Sequence, residues 1–180
     1  MTHYELNLTS DMGTPKFNIL ILGYGRHGKD TVAEYLTEKY NYTYKSSSEF
    51  CSEHVVFPVL GPMYCYPSAA ACFEDRANHR SEWYSLIAGY CKDDASRLGK
   101  EIFNVSNVYC GLRNKREFQS LKNNRVFDFS VWVDRSDHLP PEDASSNSIE
   151  QWMADYTIDN NGSLIELKRN IDDLMENWIG

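Results

Sequence analysis

The five cysteines (Cys51, Cys65, Cys72, Cys91 and Cys110) contain no C-x-x-C pair and are odd in number. That spacing excludes a zinc knuckle and disfavours a disulfide framework; reduced thiols of a cytoplasmic protein are the expectation. Long apolar stretches are missing too. The longest run of Ile, Leu, Val or Met is Ile19 to Leu22, so no segment is expected to span a bilayer. The opening Met1-Thr-His-Tyr-Glu-Leu6 has no basic patch leading into an apolar stretch, so no secretory leader is read. Positive charge is in deficit: 18 basic residues face 26 acidic ones, a net charge of -8. This excludes a broad, non-specific polyanion binder but leaves room for a local basic groove, because binding follows the local field. Glycine (10) and proline (6) are too few for collagen-like or low-complexity chains. What is present is 180 residues, 42% of them hydrophobic, enough for one domain with a substantial core.

Residues 1–15 are polar and irregular and read as a flexible tail, leaving 16–180 as a single domain. Phe17-Asn-Ile-Leu-Ile-Leu22 has the short, continuous apolar character of a buried parallel strand. Gly23-Tyr-Gly-Arg-His-Gly-Lys-Asp-Thr31 follows, and then Val32 to Tyr40 at helical spacing, with Val32, Tyr35 and Leu36 on one face. The middle of the chain is expected to be helical over Glu49–Leu60, Arg76–Tyr90 and Lys92–Phe103, with breaks at Gly61-Pro62 and Tyr66-Pro67. Further strands are expected at Val108–Leu112, Phe127–Val133 and Tyr156–Asp159, with a short helix over Lys115–Leu121. Residues 136–148 form a polar, proline-bearing loop. Ser163 with Glu166 has capping-box spacing for a last helix reaching about Asn177. Strands alternating with helices predict an α/β fold with a mainly parallel sheet.

Gly23-x4-Gly28-Lys29 is the spacing of a phosphate loop. Glycines let several backbone N–H groups turn inward toward phosphate oxygens, and the following helix adds the positive end of its dipole. On this reading Gly23, Gly25, Arg26, His27, Gly28, Lys29, Asp30 and Thr31 cradle the ATP phosphates. Lys29 bridges the β- and γ-phosphates and steadies the charge that migrates during transfer. Asp30 stands where a Ser or Thr usually meets magnesium, so Mg2+ ligation rests between Asp30 and Thr31. An acceptor hydroxyl would need a carboxylate to take its proton, and Glu49 or Glu53 in the segment Ser46–His54 could supply it. No Arg occurs between Arg26 and Arg76. Arg76, His79 and Arg80 stand at i, i+3 and i+4, so one helical face would offer two guanidiniums and an imidazole to a phosphate, or else be a solvated face. Arg135, ahead of the 136–148 loop, fits a lid arginine as well as it fits a partner for Asp134 or Asp137.

Gly28-Lys-Asp-Thr-Val-Ala-Glu-Tyr-Leu36 resembles the opening of phage-type nucleotide kinases. Ala154–Leu167 is similar to the closing strand–turn–helix of deoxynucleoside monophosphate kinases and dephospho-coenzyme A kinases, which would put Asn160 and Gly162 beside the adenine. Val108–Phe118 is similar to the family's strand ending in Asp-Val-Arg; Gly111 replaces the Asp and Arg113 is retained. Asp75-Arg76 resembles the acceptor-orienting pair of thymidylate kinases. The resemblance implies a P-loop kinase with a helical acceptor-binding insertion and a lid loop, with Asp75, Arg76, Arg80 and Arg113 on the acceptor side and ATP and Mg2+ as cofactors. Over the whole chain the likeness is to the 5-hydroxymethyluracil DNA kinases of phages with hypermodified thymine. It implies a phage enzyme in the host cytoplasm acting on DNA that contains 5-hydroxymethyluracil, with no membrane partner. A free deoxynucleoside monophosphate is the alternative acceptor, and a nucleotide-binding switch without transfer is a third reading, motivated by Gly111.

Overall fold

A computed structural model describes residues 16–144 and 146–179; the expected tail, residues 1–15, lies outside them. Five parallel strands make one sheet: β1 (Ile19–Leu22), β2 (Tyr44–Ser46), β3 (Val108–Cys110), β4 (Phe129–Asp134) and β5 (Tyr156–Asp159), in the order β2-β3-β1-β4-β5. Parallel neighbours need crossover connections. The first passes through α1 (Lys29–Tyr40) to β2, which lies two places from β1. The chain then returns to β3, beside β1, and α7 (Lys115–Asn123) carries it across to β4 on β1's other side. The order therefore reverses at β1, and ligands of open α/β sheets bind beyond the carboxyl ends of strands at such a point. The expected class, an α/β fold with a parallel sheet flanked by helices, is the one observed.

Alternate side chains of the central strands feed two cores, as the two-residue period of a strand dictates. Ile19, Ile21, Val108, Cys110, Val131 and Val133 pack against Val32, Ala33 and Leu36 of α1 and against Leu167, Ile171 and Met175 of α8 (Leu164–Ile179). Leu20, Leu22, Tyr109 and Trp132 face the opposite layer. That layer comprises α2 (Ser47–Cys51), α3 (Phe57–Tyr64), α4 (Ala69–Glu74), α5 (Arg80–Tyr90), α6 (Arg97–Val105) and α7. A wide π turn, Ser52–Val56, joins α2 to α3. The capping box forms as expected: the Glu166 N–H donates to Ser163 Oγ, and the Ser163 N–H donates to Glu166 Oε2 at 2.7 Å.

Three expectations are corrected. The helix does not break at Gly61-Pro62 but runs to Tyr64, where Cys65 in the left-handed region ends it. Gly61 is needed there because the Phe57 ring lies against its backbone, and a Cβ would come within 2.7 Å of that ring. Strand β2 was not foreseen. Arg76–Tyr90 is not one helix: Asp75–Ala77 is a 3-10 turn and α5 starts only at Arg80. No single helix among the described residues is long and apolar enough to cross a membrane; the bent pair Ser47–Tyr64 and Ala69–Ala77 reaches that length and composition together. Phe50, Val55, Val56, Leu60 and Cys72 of that pair are core residues.

Glu117 of α7 is a carboxyl packed beneath this second layer, accepting a hydrogen bond from the Tyr109 hydroxyl at 3.0 Å. Burial pushes its pKa up to about 7, against a smaller opposing effect of the Tyr109 bond. The unfolded chain ionises this group near the ordinary carboxylate value while the folded chain keeps it protonated. Stability is therefore lost as pH rises from about 4.5 to about 7 and stays lost above. Glu117→Gln should flatten this component and stabilise the protein by up to about 3 kcal/mol at pH 8 with little change at pH 4.5. Urea unfolding of both proteins across that range checks it; parallel pH curves would contradict it.

Candidate phosphate-binding site

The loop between β1 and α1 is shaped by what its glycines leave out. Gly23 (φ +143°) lies so close to β4 that a Cβ would approach the Val133 carbonyl oxygen to 2.7 Å. Gly28 (φ +93°) caps α1 in the left-handed region, and the Asn160 amide fills the space its Cβ would take. Arg26 also has positive φ, +64°, and its side chain is exposed. These conformations are open to glycine at little cost and strained for most other residues.

Two side chains hold the loop in place. Asn160, at the end of β5 and 4% exposed, donates from Nδ2 to the His27 carbonyl at 2.9 Å, while its backbone N–H donates to the Asp134 carbonyl at 2.7 Å. His27 is fully buried, and its Nδ1 accepts the Arg135 N–H at 3.0 Å. Its ring stands edge-on to Tyr24, which in turn stands edge-on to Trp132. The loop is thereby tied to the carboxyl ends of β4 and β5. His27 serves it through its backbone and this brace, with its ring turned into the protein. Asn160 likewise spends its side-chain NH2 group on the loop. Gly162 lies against the capping Glu166.

Positive charge gathers at this loop. Lys29 Nζ donates to the Tyr24 carbonyl at 2.7 Å. Burial lowers its pKa, and the Arg113 charge lowers it further. Arg113, just after β3, reaches across to Glu142 with Nη1 2.9 Å from Oε1. The other carboxylate oxygen, Oε2, accepts the Gly25 N–H at 2.8 Å. A loop amide and a guanidinium thus already share one anion, which is the donor set a polyphosphate needs. The residues fit ATP phosphates on that observation. Asp30 and Thr31 lie in the first turn of α1 and would hold Mg2+ there, shielding phosphate charge. No group of three or more His, Cys, Asp or Glu able to hold a metal occurs among the described residues.

Of the acceptor-side residues, Glu49 is exposed in the first turn of α2, its N–H capped by Ser46 Oγ at 3.2 Å. Its charge and that of Asp30 both act on the buried Cys110 thiol, whose Sγ donates to the Lys29 carbonyl. Ser47 Oγ donates to the Gly111 carbonyl at 3.1 Å, joining this segment to the end of β3. Glu53 is paired with Lys45 instead.

Arg76 and Arg80 do not share a helical face with His79, which caps α5. They line an open hollow of about 420 Å³ with Glu74, Ala77 and Trp83. Arg76 lies on the Phe73 ring, 3.9 Å from its centroid, and donates to the Phe73 carbonyl. The Asp75 carboxylate accepts from Tyr66, Asn78 and His79, a local anchor in place of a free acceptor-orienting group. Arg135 forms no ion pair with Asp134 or Asp137 among the described residues; Asp134 accepts from Ser136 and Asn161. Sequence reasoning missed Glu142 and the bracing roles of Asn160 and His27. An acidic residue in a proline-bearing loop carries no signal of its own.

No protein-family model matches the chain, and no curated protein matches it. Among solved structures it is similar to a shikimate kinase from Bacteroides thetaiotaomicron, at 12% identity over 89% of this chain and 96% of that one, with a TM-score of 0.44. It is also similar to a gluconokinase from Sinorhizobium meliloti 1021, at 15% identity over 91% and 95% of the two chains, with a TM-score of 0.40.

Asn160→Ala strands a buried carbonyl at His27, a loss of about 1–3 kcal/mol. It should also weaken ATP binding several-fold, because the loop amides lose their brace. Urea unfolding and calorimetric titration with ATP check both, and a variant with unchanged stability would show that the brace carries no weight.

Proposed function

We propose that this chain is an ATP-dependent phosphotransferase of the P-loop kinase type. The observation that carries the reading is the anion held at the loop: Gly25 N–H and Arg113 grip a carboxylate beside Lys29. Transfer of a phosphoryl group asks the protein mainly for positioning and for positive charge where the equatorial oxygens develop negative charge. Lys29, the loop amides and Arg113 would supply that charge, and Arg135, whose backbone N–H donates to His27 beside the loop, is proposed to add to it. Mg2+ at Asp30 and Thr31 would supply further charge neutralisation when bound.

The acceptor is proposed to be the hydroxymethyl group of 5-hydroxymethyluracil in phage DNA, with the protein working in the host cytoplasm and residues 16–180 acting as one domain. This rests on the resemblance of the whole chain and on the acceptor segment, where hydroxyls and carboxylates, Glu49 among them, replace the guanidinium that a monophosphate dianion requires. Glu49 would take the hydroxyl proton. A second reading, a deoxynucleoside monophosphate kinase, is favoured by one specific observation: the hollow between Arg76 and Arg80 could seat a free monophosphate.

Label transfer from γ-labelled ATP with magnesium, offered duplex DNA containing 5-hydroxymethyluracil, ordinary thymine DNA and free deoxynucleoside monophosphates, separates these readings. Label on the modified DNA alone is expected; label on monophosphates alone selects the second reading. Lys29→Ala should lower transfer about 100-fold or more with the fold intact by circular dichroism. Unchanged turnover in that variant would remove the phosphate loop from the chemistry.

A further inference from the structure

Glu142 belongs to the segment after β4, and the sheet brings it back over the loop after β1. Both its oxygens are engaged: Oε2 by the Gly25 N–H at 2.8 Å and Oε1 by Arg113 Nη1 at 2.9 Å. It stands so close over the loop that a Cβ on Gly25 would come within 2.9 Å of Oε1. Burial alone would raise its pKa, yet the Gly25 amide, Arg113 and Lys29 hold it below the ordinary carboxylate range, so it stays ionised at neutral pH. Lys29 meanwhile turns its ammonium onto the Tyr24 carbonyl. The carboxylate thus has the charge, the two-oxygen geometry and the partners of a phosphate.

A polyphosphate and Glu142 cannot hold the same amide and the same guanidinium, because two desolvated anions at hydrogen-bond distance from one donor repel strongly. We infer that Glu142 is an internal stopper of the phosphate loop, competing with the nucleotide's phosphates and displaced when they bind. This rests on the loop being the polyphosphate site. Its consequence is a free protein whose loop is preformed but occupied. The apparent affinity for nucleotide is then reduced by the fraction of molecules in which the carboxylate is seated. Displacement frees Arg113 to meet the incoming phosphates and moves the segment that begins at Arg135, so occupancy of the loop and position of the lid segment change together.

Calorimetric titration with inorganic tripolyphosphate, without acceptor or metal, tests this on wild type, Glu142→Gln, Glu142→Ala and Lys29→Ala. Removing the charge should tighten tripolyphosphate binding about tenfold in both Glu142 variants, the Gln form keeping the shape of the side chain and the Ala form removing it. Weaker binding by Lys29→Ala together with unchanged or weaker binding by both Glu142 variants overturns the stopper and leaves the loop assignment standing. Binding by Lys29→Ala as tight as wild type overturns the loop assignment itself, and the stopper with it.

Discussion

Everything at this site depends on the backbone of residues 23–28 being pressed against the carboxyl ends of β4 and β5. Gly23 touches the Val133 carbonyl, Gly28 makes room for the Asn160 amide, and that amide holds the His27 carbonyl. Five of the loop's neighbours come from parts of the chain more than a hundred residues away in sequence, so the loop is a tertiary structure as much as a local turn. A preformed loop aims its N–H groups before any ligand arrives, which spares binding the cost of ordering them. The parallel sheet is what makes this possible: reversal of strand order at β1 leaves a crevice there, and β4 and β5 end on its border.

Electrostatics complete the picture at short range, where the balance of charge differs from that of the whole chain. A net charge of -8 describes the surface. At the loop the charges that act on Lys29 include Arg113 on one side and Asp30 and Glu142 on the other. Lys29 is half-buried and donates to the Tyr24 carbonyl, while Arg113 and the Gly25 amide converge on one carboxylate. The local field is therefore poised, and exchanging one anion for another costs less than creating a new anion site.

Legibility in the sequence followed the strength of local signals. Ile19–Leu22, Phe129–Asp134 and Tyr156–Asp159 were readable because buried parallel strands are short apolar or β-branched runs. Tyr44-Lys-Ser46 was not, since it is three residues long, carries a lysine and is only half-buried. Its strand character comes from pairing with β3 and not from composition. Arg76, His79 and Arg80 fit a helical period but straddle a 3-10 turn and a helix start, where the 3.6-residue rule no longer applies. The phosphate loop was legible because glycine spacing is a direct record of backbone geometry. Asn160, inside an Asn-Asn-Gly stretch, reads as turn chemistry near the adenine, and Glu142 as one polar residue of the 136–148 loop. Both owe their roles to contacts across more than a hundred residues, which no local pattern encodes.

The central claim is that residues 23–29 form a preformed anion site beneath β1's end. Backbone amide resonances of the protein, followed by NMR during titration with inorganic tripolyphosphate, test it most directly. The account predicts that the Gly25, Gly28 and Lys29 amides shift first and saturate together, with Glu142 and Arg113 following the same binding curve. Shifts centred on the Arg76–Arg80 hollow, with Gly25 and Gly28 unmoved, would contradict it.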